Sequence, residues 1–137
     1  MRGLDADEAD GADLLVGGSG ADTLVGGTGA DTIEARDGAD TISGGDAPDQ
    51  IDAGAGNDVI RGGAGDDTIS GGAGSDTAEF AGNMADYRVS ANADGSGITV
   101  TDNDATLDGD DGTDTLSNVE TLQFADGTLT ITDDGDG

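Results

Sequence analysis

From Glu8 to Glu79 the chain alternates apolar and polar positions on a fixed period of nine. The units run without insertion: EADGADLLV, GGSGADTLV, GGTGADTIE, ARDGADTIS, GGDAPDQID, AGAGNDVIR, GGAGDDTIS and GGAGSDTAE. Their eighth position is aliphatic, as Leu15, Leu24, Ile33, Ile42, Ile51, Ile60 and Ile69, with Ala78 in the last unit. Around it stand polar or β-branched residues such as Thr68 and Ser70, which is the period-two signal of a short strand with one inward side chain. The first six positions, rich in Gly and Asp, predict a turn. Strand and turn repeating at constant length predict a solenoid rather than a conventional globular core. The sixth position is Asp in every unit: Asp13, Asp22, Asp31, Asp40, Asp49, Asp58, Asp67 and Asp76.

The pattern G-G-x-G-x-D-x-U-x is the calcium-binding nonapeptide of RTX proteins. The array resembles the repeats of secreted bacterial haemolysins, serralysin-type proteases, lipases and alginate epimerases. The resemblance implies an all-β fold, a right-handed parallel β-roll (a calcium-binding β-solenoid) with a C-terminal β cap. DTAEFAGNMADYRV and DGTDTLSNVETLQFADGT resemble the segment that follows the last repeat in many such proteins. The organisation expected is a lead-in over 1–7, a roll of eight repeats over 8–79, and a cap with a type I secretion-signal region over 80–137.

With two units to a coil, residues eighteen apart stack on one side, so Asp13, Asp31, Asp49 and Asp67 form one column. Asp22, Asp40, Asp58 and Asp76 form the other. Neighbouring coils lie ~4.8 Å apart, and two carboxylates at that distance repel by roughly 3 kcal/mol at an effective dielectric of about 20. A hard divalent cation between successive turns reverses the sign of that interaction. Ligation by oxygen alone, in flexible carbonyl-rich loops, favours Ca²⁺ over zinc, copper or magnesium. The carbonyls expected to assist belong to Gly17, Gly18, Gly20, Gly26, Gly27, Gly29, Gly38, Gly44, Gly45, Gly54, Gly56, Gly62, Gly63, Gly65, Gly71, Gly72 and Gly74. Four loops on each side leave three gaps per side, hence about six complete Ca²⁺ sites. One aliphatic side chain per unit is a thin core, so metal binding is expected to be coupled to folding.

Composition strengthens that reading. Four basic residues against 31 acidic ones give a net charge of −27, and His, Cys and Trp are absent. By charge and hydropathy alone such a chain is disordered, which is the expectation for its metal-free state. The acidity argues against nucleic acid and anionic membranes, and no apolar run has the length of a membrane span. The start MRGLDADEAD has no hydrophobic signal core. A monomer is expected. Without Cys, disulfides and thiolate zinc sites are excluded.

Some positions depart from the motif. Ala47–Pro48 replaces the fourth-position Gly and its successor, and proline steers its predecessor towards extended backbone, so the loop 44–49 is expected to have altered geometry and the weakest interior sites. Ala35–Arg36 replaces the leading Gly pair of its unit. Asp76 is expected to end its column and to matter less than the interior Asp40. The first unit lacks its Gly pair: the array begins there, or the chain has been cut at Met1 from a longer protein. After Glu79 four strands are predicted, Tyr87–Ala91, Ile98–Thr101, Val119–Phe124 and Thr128–Ile131. Phe80, Met84, Tyr87, Leu122 and Phe124 are the bulky residues available to cover the last coil. GDDGTDTLS (109–117) fits the repeat through Gly109, Gly112, Asp114 and Leu116. Asp114 is therefore either a further Ca²⁺ ligand or part of a solvated acidic loop, and no EF-hand loop fits there. The tail ITDDGDG lacks the hydrophobic terminus of the serralysin type.

The function expected is a calcium-binding module of a larger secreted bacterial protein, folding outside the cell and partnered by type I secretion machinery. The alternative is a segment of a bacterial adhesin or surface-layer protein. No catalytic residues are expected, since no base is present to activate a serine and the paired carboxylates are accounted for by metal. Ice binding lacks a regular outward rank of Thr, and acidic-polysaccharide binding lacks a basic strip, because Arg36, Arg61 and Arg88 are scattered.

Overall fold

The structure, a computed structural model, describes residues 5–7, 11–91, 97–103 and 112–131. Its strands are β1 (Asp5–Asp7), β2 (Leu14–Val16), β3 (Thr23–Thr28), β4 (Thr32–Glu34), β5 (Thr41–Asp46), β6 (Gln50–Asp52) and β7 (Val59–Gly63). They continue with β8 (Thr68–Ser70), β9 (Thr77–Glu79), β10 (Tyr87–Ala91), β11 (Ile98–Asp102), β12 (Thr113–Ser117), β13 (Thr121–Phe124) and β14 (Gly127–Thr130). Among the described residues the helical element is a single 3₁₀ turn, Met84–Asp86.

From β1 to β10 successive strands alternate between two sheets, ordered β1-β3-β5-β7-β9-β13-β14 and β10-β11-β12-β8-β6-β4-β2. All pairings within the repeats are parallel, and the register places Leu24 beside Ile42, Ile42 beside Ile60 and Ile60 beside Ala78. On the other sheet Leu15, Ile33, Ile51 and Ile69 stack in the same way. The aliphatic eighth positions are thus the core, all within 3% of full burial. The result is a β-solenoid, as the nine-residue period implies.

The roll extends beyond the repeats at both ends. β1 lies parallel to β3, with Ala6 opposite Leu24, although residues 1–7 carry no motif; parallel pairing needs register and backbone, not the loop residues. After Glu79 the chain makes an excursion and returns. β12 pairs in parallel with β8, with Leu116 opposite Ile69, and β13 with β9, with Leu122 opposite Ala78. β12 was not among the strands expected from hydrophobic alternation, whereas the other four elements are found near the positions predicted. β11 and β10 then add to β12, and β14 to β13, in antiparallel fashion. Phe80, Tyr87 and Phe124 pack as a trio with ring centroids 5.2–5.5 Å apart. Tyr87 accepts a hydrogen bond from the Gly82 N–H at 2.9 Å. The trio and Leu122 belong to the same buried cluster as the roll's aliphatic residues, with Met84 packed at its margin. Residues 104–111, including Gly109, and 132–137 of the acidic tail lie outside the described residues.

The loop at Ala47–Pro48 keeps the positive φ of its neighbours instead of the extended backbone expected, while the Ala47 carbonyl stands farther from Gly65 than the fourth-position carbonyls of other turns stand from theirs. Ala47 has φ 78° and Arg36 φ 79°, the left-handed values that Gly29, Gly65, Gly45 and Gly63 adopt at equivalent places. The stacked turns on either side override the local preference. The loss is borne as strain, since an L-residue in this region costs roughly 1–2 kcal/mol. Ala47→Gly removes that strain, while greater freedom in the unfolded chain offsets roughly 0.4–1 kcal/mol of the gain. The variant is expected to be more stable by about 0.5–1 kcal/mol, measured as a raised midpoint of thermal unfolding. A lowered midpoint would contradict the assignment of strain.

Candidate metal centre

Each repeat Asp sits at the junction of turn and strand, two residues before the inward aliphatic side chain, and is drawn inside with it. From Asp22 to Asp76 these carboxylates are no more than 2% exposed. From Asp31 onward one oxygen of each is held by the preceding turn. The N–H of Asp13, Asp22, Asp31, Asp40, Asp49 and Asp58 donates to Oδ1 of Asp31, Asp40, Asp49, Asp58, Asp67 and Asp76, at 2.7–2.9 Å. These are the two expected columns. The loop 44–49 takes part like the rest, so Ala47–Pro48 leaves Asp49 in place.

The second oxygen is the notable one. Oδ2 of Asp13, Asp31, Asp40, Asp49, Asp58, Asp67 and Asp76 is buried and has no hydrogen-bond partner; in Asp22 it accepts from the Gly18 N–H at 2.8 Å. A buried carboxylate oxygen with no partner is strongly unfavourable, and here such oxygens are stacked in rows of like charge.

The unpartnered oxygens of Asp31, Asp49, Asp67 and Asp76 share a setting: they face the first residue of their own turn, where glycine leaves no side chain. A Cβ on Gly44 would collide with Oδ2 of Asp49 and, at 2.7 Å, with the carbonyl oxygen of Gly62 in the next turn. On Gly26 it would meet Oδ2 of Asp31 and, at 2.5 Å, the carbonyl of Gly44. Carboxylate and carbonyl from successive turns therefore converge on one gap. In the other column Ala35 and Ala53 hold the equivalent position, both fully buried, so those gaps are narrower by a methyl group. Second-position carbonyls are already engaged: those of Gly18, Gly45 and Gly54 accept from the N–H of Asp37, Ala64 and Ala73. Among the described residues no three acidic side chains meet at one point, so a cation held here draws on backbone carbonyls as well. A donor set of single carboxylate oxygens and carbonyls in a flexible loop suits Ca²⁺, which accepts irregular oxygen coordination, better than Mg²⁺, which requires a tight octahedron.

Two further residues join the columns. Asp114 is buried, and its Oδ1 accepts from the Asp67 N–H at 2.8 Å. Gly112, at φ 76°, packs against the Gly65 carbonyl. Asp114 thus occupies the next layer of the first column, not a solvated loop. The second column does not end at Asp76, whose N–H donates to Oε2 of Glu120 at 2.8 Å. The contrast expected between an interior Asp40 and a terminal Asp76 is therefore removed. Glu120 escaped the sequence reading because the motif asks for Asp. The available signal was its place two residues before the inward Leu122, the spacing every repeat Asp keeps from its own aliphatic residue.

Burial raises the pKa of Asp49 and Asp58 to about 6 and of Asp67 to about 7, against the lowering effect of the backbone N–H each accepts and with the column's own charges adding to the rise. Asp40 and Asp76 are raised for the same first reason. The metal-free fold therefore binds more protons than the unfolded chain between the ordinary value of 3.8 and about 7. Its stability falls as pH rises through that window. In excess chelator, lowering the pH from about 7.5 to about 5 is expected to increase the β-sheet signal in far-ultraviolet circular dichroism. A signal that falls on acidification would refute the burial of these groups.

A family profile described as the RTX calcium-binding nonapeptide repeat matches residues 9–42, 16–50 and 43–78. No curated protein matches the chain. The matched segments run over just over half of the 137 residues and coincide with the stacked units that bring the carboxylates together. Such a roll is a structural, non-catalytic type of module, and its repeats are calcium binders. On the combined ground of period, fold and carboxylate columns, the chain belongs to the RTX calcium-binding nonapeptide repeat family.

Proposed function

We propose that this chain folds when it binds Ca²⁺ outside the cell, and that this folding supports type I secretion and the stability of a larger secreted protein. The observation that carries the reading is the row of buried Oδ2 atoms without partners. In the metal-free chain each adds an unpaired charge to a thin core, and an ion between turns supplies what each lacks. Asp Oδ2 binds the ion together with first-position carbonyls of the following turn, such as those of Gly44 and Gly62, at about six places along the repeats. The antiparallel strands β10, β11 and β14, with the ring trio, serve as the cap of the last coil. Where calcium is scarce, as in the cytosol, the chain stays unfolded and can be threaded through a channel. Where calcium is abundant it folds and is retained outside.

Titration of the metal-free chain with Ca²⁺, followed by far-ultraviolet circular dichroism, tests this. A cooperative gain of β-structure near millimolar Ca²⁺ is expected, with little response to Mg²⁺. A β-rich spectrum at neutral pH in excess chelator, or equal folding in Mg²⁺, would overturn it. The same charges act in opposite directions with and without metal. Asp67→Asn keeps an acceptor for the Asp49 N–H but removes a buried charge. It is expected to increase residual β-structure in chelator and to raise the calcium midpoint by more than about tenfold. Shifts of the same sign in both conditions would show that Asp67 does not bind the ion.

A further inference from the structure

The second column ends in a turn that the nine-residue pattern does not describe. Leu116 and Leu122 are both fully buried and stand opposite Ile69 and Ala78, repeat residues nine apart, yet they are themselves only six apart. The connecting turn has lost three residues relative to the repeats and passes through Asn118 at φ 54°. At the place where a repeat would carry Asp stands Glu120, and its Oε2 accepts the Asp76 N–H at 2.8 Å, as Oδ1 of Asp does in the layers before it. The extra methylene of Glu lets a carboxylate reach the column from a shorter turn.

The gap beneath this carboxylate is furnished like those of the repeats. Asp76 is fully buried, and its Oδ2 has no hydrogen-bond partner. That oxygen lies 2.6 Å from where a Cβ on Gly71 would stand, and the carbonyl oxygen of Asn118 converges on the same point. Asn118 thereby takes the part that Gly62 plays opposite Gly44. We propose that a hard divalent cation of the calcium class binds between Gly71–Asp76 and Asn118–Glu120, held by Asp76, the Asn118 carbonyl and Glu120. This site joins the loop of the last nonapeptide to a turn outside the repeats and closes the second column with a glutamate. The inference rests on the reading of the repeat loops as calcium sites.

The test is a count of bound Ca²⁺ on the full chain by native mass spectrometry, with circular dichroism on the same samples. Glu120→Gln keeps the acceptor for Asp76 but not the charge, and is expected to bind one ion fewer than the unaltered chain while retaining its β-structure in saturating calcium. Glu120→Asp keeps the charge but shortens the reach, and is expected to lose the same ion at limiting calcium. An unchanged count and midpoint in Glu120→Gln, or wild-type behaviour of Glu120→Asp, would overturn the proposal. If Glu120→Gln fails to fold, the count in Glu120→Asp at limiting calcium decides. An unaltered chain that binds no calcium would instead sink the reading of the repeats themselves.

Discussion

Everything in this molecule depends on what is done with the second oxygen of a buried aspartate. A carboxylate accepts the N–H of the preceding turn with one oxygen, which fixes it inside the roll. That same fixing strips the other oxygen of water and leaves it without a partner. Sidewise stacking then repeats the deficit every eighteen residues. In a conventional core this would be a defect, because desolvation and like-charge repulsion act together. Here the deficit is regular, lies beside backbone carbonyls, and is of the sign that a cation removes.

The apolar part of the structure is correspondingly modest. Each coil contributes two aliphatic side chains, and the ladders of parallel strands contact only their neighbours. In such a stack each turn is stabilised by the turns adjacent to it and little else. Local irregularity is therefore absorbed locally. Arg36 and Ala47 are forced into left-handed backbone by the turns around them, and neither disturbs the carboxylate of its own loop.

The repeat, the inward positions and the two columns were legible in the sequence because an integer period maps directly onto a stacking distance. Features outside that period were harder to see. Asp5–Asp7 pairs with a strand of the roll with no motif residues to announce it. Thr113–Ser117 continues the roll after a long excursion, and its membership was visible only as a partial match at Gly112, Asp114 and Leu116. Glu120 was hidden twice, by a turn of different length and by a different acid. The Pro48 rule misled because it describes an isolated dipeptide, whereas this one is clamped between two finished turns. No sequence pattern could say which carboxylate oxygen would be left over, since that depends on the direction of a single hydrogen bond.

That direction has a consequence of its own. In every layer among the described residues the N–H belongs to the earlier turn and the carboxylate to the later one, from Asp13 and Asp31 through to Asp67 with Asp114 and Asp76 with Glu120. The stack is thus polar, like a row of hooks all facing one way. Each turn is completed by its successor in the chain, and the last nonapeptides are completed by residues that are not nonapeptides at all. The dependence therefore runs one way: taking away residues 112–120 would remove the acceptors of the Asp67 and Asp76 N–H groups, whereas taking away the first turn would leave every later turn its own acceptor.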